Sequence, residues 1–211
     1  MVLCNKCDKY GMTFERKYSP TEFVEGKLTS KIWIIGLNPK KEISAIDKRT
    51  VKKLSVFLDK KDELSYFKDF NKVSNLLYDL LGKENGVCHT DIVKCFSKGF
   101  PPKDPNHNDK RLGVKGQREI IRNCSNYLKE QLILHKPRMI ICNGSYSCNK
   151  IKELVIPNEK QSYDTYYIGK YKDQEIVVVL SGFIGRIDDY SKRRLGKEIE
   201  VLIKKYSILN I

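Results

Sequence analysis

Ile32-Trp33-Ile34-Ile35-Gly36-Leu37-Asn38-Pro39 is the stretch that decides the fold. Four apolar residues in a row, three of them β-branched, suit a strand buried on both faces. Gly36 lets the backbone turn sharply, and Pro39 stops the strand while fixing φ. In an open parallel sheet, ligands bind beyond the carboxyl ends of the strands, which is where Leu37, Asn38 and Pro39 fall.

The pattern repeats along the chain. Gly86–Cys95, Arg138–Gly144 and Glu175–Leu180 read as three further strands. Between them lie segments of helical periodicity. One helix begins near Thr50 and breaks at Lys60-Lys61-Asp62. A second runs from about Phe70 to Leu81, ended by Gly82. A third spans Gln117 to His135, with Pro137 after its end. Residues 145–155 suit a short helix, and a closing helix runs from about Asp189 to Tyr206. The tyrosine-rich piece between them, around Gly169, reads as a hairpin arm. Strands alternating with helices predict an α/β fold: three layers, α/β/α, around a central four-stranded parallel sheet. The expectation is a single domain over 1–211, with a lead-in over 1–30 and a long loop over 96–116. Four strand exits then meet at one edge: Asn38, Lys94–Cys95, Asn143–Gly144 and Ser181–Arg186.

Forty Lys and Arg against 26 Asp and Glu leave a net charge of +14 in 211 residues. Such an excess favours a polyanionic partner, and nucleic acid is the commonest. The charges are scattered, as they also are on a Lys-rich surface that merely solvates the chain. No apolar run reaches the roughly 20 residues that span a bilayer, and the first residues do not read as a signal peptide. The expectation is a monomer in the cytoplasm, nucleoid or nucleus, with no membrane contact.

Seven cysteines, an odd number in a reducing compartment, argue against a disulfide framework. Cys4-Asn5-Lys6-Cys7 has the spacing at which two thiolates grip one metal centre, zinc or iron–sulfur. Cys88, Cys142 and Cys148 fall at apolar periodic positions and read as core. His89, His107 and His135 show no ligand spacing.

With these landmarks in order, the chain resembles the uracil-DNA glycosylase superfamily, and most of all its iron–sulfur branch. Gly36-Leu37-Asn38-Pro39 is similar to a Gly-x-Asn-Pro first motif. Thr90-Asp91-Ile92-Val93-Lys94-Cys95 resembles Thr-Asn-Val-Val-Lys-Cys. Cys124 through Gly144 resembles that branch's Cys-x-x-Tyr-Leu, helix, Lys-Pro, strand and Gly. The resemblance implies that Cys4, Cys7, Cys95 and Cys124 bind a [4Fe–4S] cluster, with zinc as the alternative occupant. It also implies a DNA repair enzyme, acting on double- or single-stranded DNA, that hydrolyses the N-glycosidic bond of uracil or another deaminated base.

In that frame Asn38 positions the water, and Gly36, Leu37, Pro39 and Asn143 line the base pocket. Asp91 stands where the family has a base-reading Asn. An amide accepts and donates, whereas a carboxylate only accepts, so uracil is not the expected preference. Asp91 can equally cap a loop. Phe70 is the candidate aromatic plate, with core burial the alternative.

The family's His-Pro-Ser motif departs most: Leu180-Ser181-Gly182-Phe183-Ile184-Gly185-Arg186 lacks its histidine. Losing one leaving-group donor typically costs about 10² to 10³ in rate. Ser181 and Gly182 suit close approach to phosphate, Phe183 or Ile184 suits a wedge in the base stack, and Arg186 suits a phosphate. Lys98, Lys103, Lys110, Arg111, Arg193, Arg194 and Lys197 are further phosphate candidates. A nucleic-acid-binding protein that has lost catalysis is the competing expectation.

Overall fold

A computed structural model describes residues 1–39, 49–97 and 99–209. The strands are β1 (Val2–Cys4), β2 (Phe14–Arg16), β3 (Ile32–Gly36), β4 (Val87–Asp91), β5 (Lys103–Asp104), β6 (His107–Arg111), β7 (Met139–Asn143), β8 (Ile156–Ser162), β9 (Tyr166–Tyr171) and β10 (Gln174–Ser181). The helices are α1 (Val51–Ser55), α2 (Ser65–Val73), α3 (Asn75–Asp79), α4 (Val114–His135), α5 (Ser145–Leu154) and α6 (Asp189–Lys205). The central sheet has the order β4-β3-β7-β10-β9-β8. Its first four strands are parallel, and they are the four expected from sequence. The sheet nevertheless has six strands. The tyrosine-rich arm does not stand apart; β9 pairs antiparallel with β10, and β8 with β9, so the hairpin extends the sheet.

Alternation along each buried strand sorts its side chains into two cores. Trp33, Ile35, Ile140, Cys142 and Val178 face one side, where Leu128 of α4 and Ile151 of α5 cover them. Ile32, Ile34, Ile141, Val177 and Val179 face the other, under Phe70 and Leu77 and under Leu195 and Ile199 of α6. Helices on both faces of a sheet make the α/β/α sandwich. The lead-in contributes Met12, Phe14, Tyr18 and Phe23 to the first core.

The expected helix over 70–81 is two helices. Ser74 is extended, and its hydroxyl accepts from Leu77 N at 3.1 Å, capping α3. α6 also crosses at this break, where a Cβ on Gly196 would run into the Val73 carbonyl. α2 consequently starts earlier, at Ser65, which brings Tyr66 to the sheet edge. The long loop holds the small hairpin β5–β6 before α4 begins.

Candidate active site

The register aligns the strand ends. Gly36 pairs with Asp91, and Ser181 with Asn143. A Cβ at Gly36 would collide with Asp91 Oδ1 and stand 3.1 Å from His89 Nε2 and 3.4 Å from the Tyr66 hydroxyl. Glycine is required here because three polar groups, from two elements, close over its α-carbon.

Behind them runs a buried polar chain. Arg49 Nη1 lies 2.8 Å from Glu25 Oε1, and Glu25 Oε2 lies 2.9 Å from His89 Nδ1. His89 Nε2 is 3.3 Å from the Tyr66 hydroxyl and 3.8 Å from Asp91 Oδ1. Asn143 Nδ2 donates to the Tyr66 hydroxyl at 2.6 Å, and Ile184 N donates to Asn143 Oδ1 at 2.8 Å. Two reciprocal backbone hydrogen bonds between Glu25 and His89 fix the carboxylate beside the imidazole.

Charge alternates along this chain, and the protonation equilibria follow. Burial disfavours the imidazolium of His89, but Asp91 and Glu25 outweigh it and hold the pKa above its ordinary value. Burial works against the Glu25 carboxylate too, yet the His89 hydrogen bond and the charges of His89 and Arg49 hold its pKa low. Asp91 shifts the other way: burial pushes it up to about 6, against the pull of His89. Burial keeps Tyr66 protonated.

Lys94 lies at the same strand exit and is also buried. Its Nζ donates to Thr90 Oγ1 at 2.8 Å, the Asp91 main-chain carbonyl at 2.5 Å and Gln131 Oε1 at 2.8 Å. Burial pulls its pKa down to about 8. Gln131 in turn donates to the carbonyls of Thr21 and Phe23, tying α4 to the lead-in.

The sequence candidates divide. Asn38 is half-buried; its Nδ2 donates to the carbonyls of Pro39 at 3.2 Å and Ser97 at 3.3 Å. Among the described residues nothing donates to its Oδ1. Leu37 is half-buried and Pro39 buried, both alongside the chain that leaves β4. Asn143 joins three elements through an amide engaged with Tyr66 and Ile184. Phe70 is fully buried, in the second core. The aromatic ring at the edge is Tyr66, one turn earlier, with rings 5.7 Å from Phe70 and 6.4 Å from Phe183.

In the last exit, Ser181 is buried and Gly182 exposed, and the Ser181 hydroxyl donates to the Gly182 carbonyl. Ile184 is 1% exposed and belongs to the core, which leaves half-buried Phe183 as the wedge candidate. Exposed Arg186 holds its guanidinium 5.8 Å from the Phe183 ring centre. Lys103, Lys110, Arg111, Arg193, Arg194 and Lys197 are exposed, and Lys98 lies outside the described residues.

Sequence reasoning missed Glu25, Arg49 and Tyr66, and passed over His89. One signal was present: His89 and Asp91 alternate on one strand and therefore share a face.

The four cysteines come together on α4. Cys4 Sγ is 3.3 Å from the Tyr127 hydroxyl, and Asn123 Nδ2 donates to the Lys6 carbonyl and to Cys7 Sγ. The thiols of Cys95 and Cys124 hydrogen-bond, and Cys4 and Cys7 lie within electrostatic reach of Cys95. Burial raises Cys7 to about 11, whereas the Cys95 hydrogen bond, aided by Lys94 and Lys6, lowers Cys124 to about 7. Among the described residues no group of three His, Cys, Asp or Glu is set to hold a metal ion. The donor chemistry does fit a thiolate-bound group: four thiols from three segments, three of them buried, with cations beside them.

Among the described residues no helix is long and apolar enough to cross a membrane. Residues 23–182 match the family model described as the uracil DNA glycosylase superfamily. That span contains three of the four central strand exits, the first two residues of the fourth, Ser181 and Gly182, and Cys95 and Cys124. No curated protein matches the chain.

Proposed function

Because the chain belongs to the uracil DNA glycosylase superfamily, we propose that it is a DNA glycosylase of the iron–sulfur type that removes a damaged base at the edge where Gly36, Asp91, Asn143 and Ser181 meet. The observation that carries this reading is the pairing of Gly36, two residues before Asn38, with Asp91, which sets Asn38 and Asp91 at neighbouring strand exits.

Cleaving an N-glycosidic bond builds positive charge on the sugar and negative charge on the departing base, and an attacking water must be held. Asn38 Oδ1 is the acceptor that holds this water. An amide is no strong general base, so the chemistry is slower than with a carboxylate at that position. Asp91 reads the edge of a base lifted out of the stack. Tyr66 and Phe183 supply aromatic surface, and the exposed Arg186, Arg193, Arg194 and Lys197 supply phosphate contacts. The net charge of +14 supports DNA as the partner.

Cys4, Cys7, Cys95 and Cys124 would hold a [4Fe–4S] cluster, which when bound ties the N-terminus to α4 and to the chain leaving β4. Four cysteines complete the ligand set of such a cluster, and zinc, which also takes four, is the alternative occupant. Visible absorbance and iron and sulfide content of anaerobically purified protein test this, and stoichiometric zinc without iron contradicts it.

The test of activity is abasic-site formation on single- and double-stranded oligonucleotides carrying uracil, hypoxanthine or xanthine, with Asn38→Ala as control. A product from wild type that the variant fails to make supports the reading. Leu180, standing where the family has a donating histidine, favours a second one: DNA binding without base removal. Lesion binding with no abasic product on any substrate would establish that alternative.

A further inference from the structure

Asp91 and Lys94 leave β4 together, but their surroundings differ in one respect that bears on recognition. Among the described residues, no side chain or backbone N–H donates a hydrogen bond to the Asp91 carboxyl, although the residue is only 3% exposed. Among the described residues, charged and titratable groups approach it from several elements. From its own strand, His89 Nε2 stands at 3.8 Å. From the lead-in, Glu25 holds the same imidazole by the shorter contact of 2.9 Å, and Arg49 sits behind Glu25. After the strand, Lys94 bonds the Asp91 main-chain carbonyl rather than its carboxyl. From α2, Tyr66 stays a neutral hydroxyl. Two buried carboxylates therefore face one imidazole, and Asp91 has the weaker hold on it.

A buried carboxyl with no donor aimed at it takes up a proton more easily than one in water. The two forms present different edges. A carboxylate offers two acceptors, while a carboxylic acid offers O–H and C=O side by side, the same pair as an amide. A lactam edge, a ring N–H beside a carbonyl, is common to uracil, hypoxanthine and xanthine. It matches the acid and repels the carboxylate.

We propose that Asp91 recognises lactam bases as a carboxylic acid, so that base recognition is gated by pH, with His89, Glu25 and Arg49 acting as positioning residues that set the gate. The inference rests on the base-reading role proposed for Asp91 above. In the bound state the Asp91 O–H donates to the base carbonyl, and the Asp91 carbonyl accepts from the ring N–H. The direction of the Asp91 shift, upward through burial, agrees with this assignment. Above the gate the acid fraction falls about tenfold per pH unit, and affinity for the lactam edge falls with it.

The test is equilibrium binding to a duplex carrying 2′-fluoroarabino-uridine, whose glycosidic bond resists cleavage, compared with the same duplex carrying cytosine at that position. The ratio of the two dissociation constants is read from about pH 5 to about pH 8 for wild type, Asp91→Asn and His89→Gln. In wild type the preference for the uracil duplex should fall by about tenfold or more across this range. In Asp91→Asn, which keeps the amide pattern at every pH, it should stay level. In His89→Gln, which removes the cation that favours the carboxylate, the fall should move to higher pH. A level wild-type ratio, a fall that persists in Asp91→Asn, or a gate left in place by His89→Gln overturns the proposal. A pH-gated preference with no abasic product from the cleavable uracil, hypoxanthine and xanthine oligonucleotides refutes the catalytic reading and leaves this one standing; abasic product from them with a level ratio does the reverse.

Discussion

Lys94 and Asp91 are buried charges three residues apart, and the contrast between them separates a brace from a binding group. The lysine has an acceptor for each N–H, drawn from Thr90, the Asp91 backbone and Gln131. A buried charge with a full set of partners is a fixed structural joint. The aspartate carboxyl has no donor among the described residues, and its nearest cation is shared with Glu25. Leaving a polar group unpartnered costs stability, and natural structures keep such groups mostly at functional sites. The same strand exit thus carries one residue that holds the fold and one that waits for a ligand.

The contrast is broken most severely on the brace side. Lys94→Ala should cost about 3 kcal/mol or more, because three buried acceptors lose their donor at once. Urea denaturation checks it, and a loss below about 1 kcal/mol would contradict the brace. Next comes Gly36→Ala. Its methyl collides with Asp91 Oδ1 and crowds His89 and Tyr66. Overpacking of this kind typically costs about 1–3 kcal/mol. Lesion binding should fall by more than stability alone explains, and binding measured well below the unfolding transition separates the two effects.

The smallest expected effect sharpens the Asp91 side. Burial raises the folded-state pKa of Asp91 to about 6, above its unfolded value. The stability tied to its proton is therefore full below the unfolded pKa and lost as pH rises through about 6. Asp91→Asn has no such proton to lose. Relative to wild type it should gain stability between about pH 4 and pH 8, by about 1–2 kcal/mol after the loss of the His89 contact is counted. Parallel urea titrations at the two pH values read the difference, and an unchanged gap would contradict a raised pKa.

Much of the scaffold was legible because its signals are local. Runs such as Ile32–Ile35 and Ile176–Val179 need no tertiary information to read as buried strands, and Pro137 marks the end of α4 wherever it packs. The break at Ser74 was not legible, since it depends on a serine turning from helix interior to cap and on α6 closing against Val73. The two extra strands are not legible as part of the sheet, because a Tyr- and Gly-containing hairpin looks the same in sequence whether it joins a sheet or leaves it.

The site shows the same division. Asn38 and Asp91 follow recognisable strands and could be placed at the edge from sequence. Glu25 meets His89 across 64 residues and Tyr66 meets Asn143 across 77, contacts that no periodicity encodes. Phe70 precedes the paired leucines Leu76-Leu77 and so reads from sequence as either an aromatic plate or a core ring; the structure places it in the core. One turn of helix separates a core ring from a ring at the site edge.

The central claim is that these strand exits form a base-removing site with Asn38 holding the water. The most direct measurement is abasic-site formation by wild type and Asn38→Ala on duplexes carrying uracil, hypoxanthine or xanthine, below the pH at which Asp91 ionises. The account predicts product from wild type and a fall of about 10²-fold or more in the variant. Equal product from both proteins, or none from either, would contradict it.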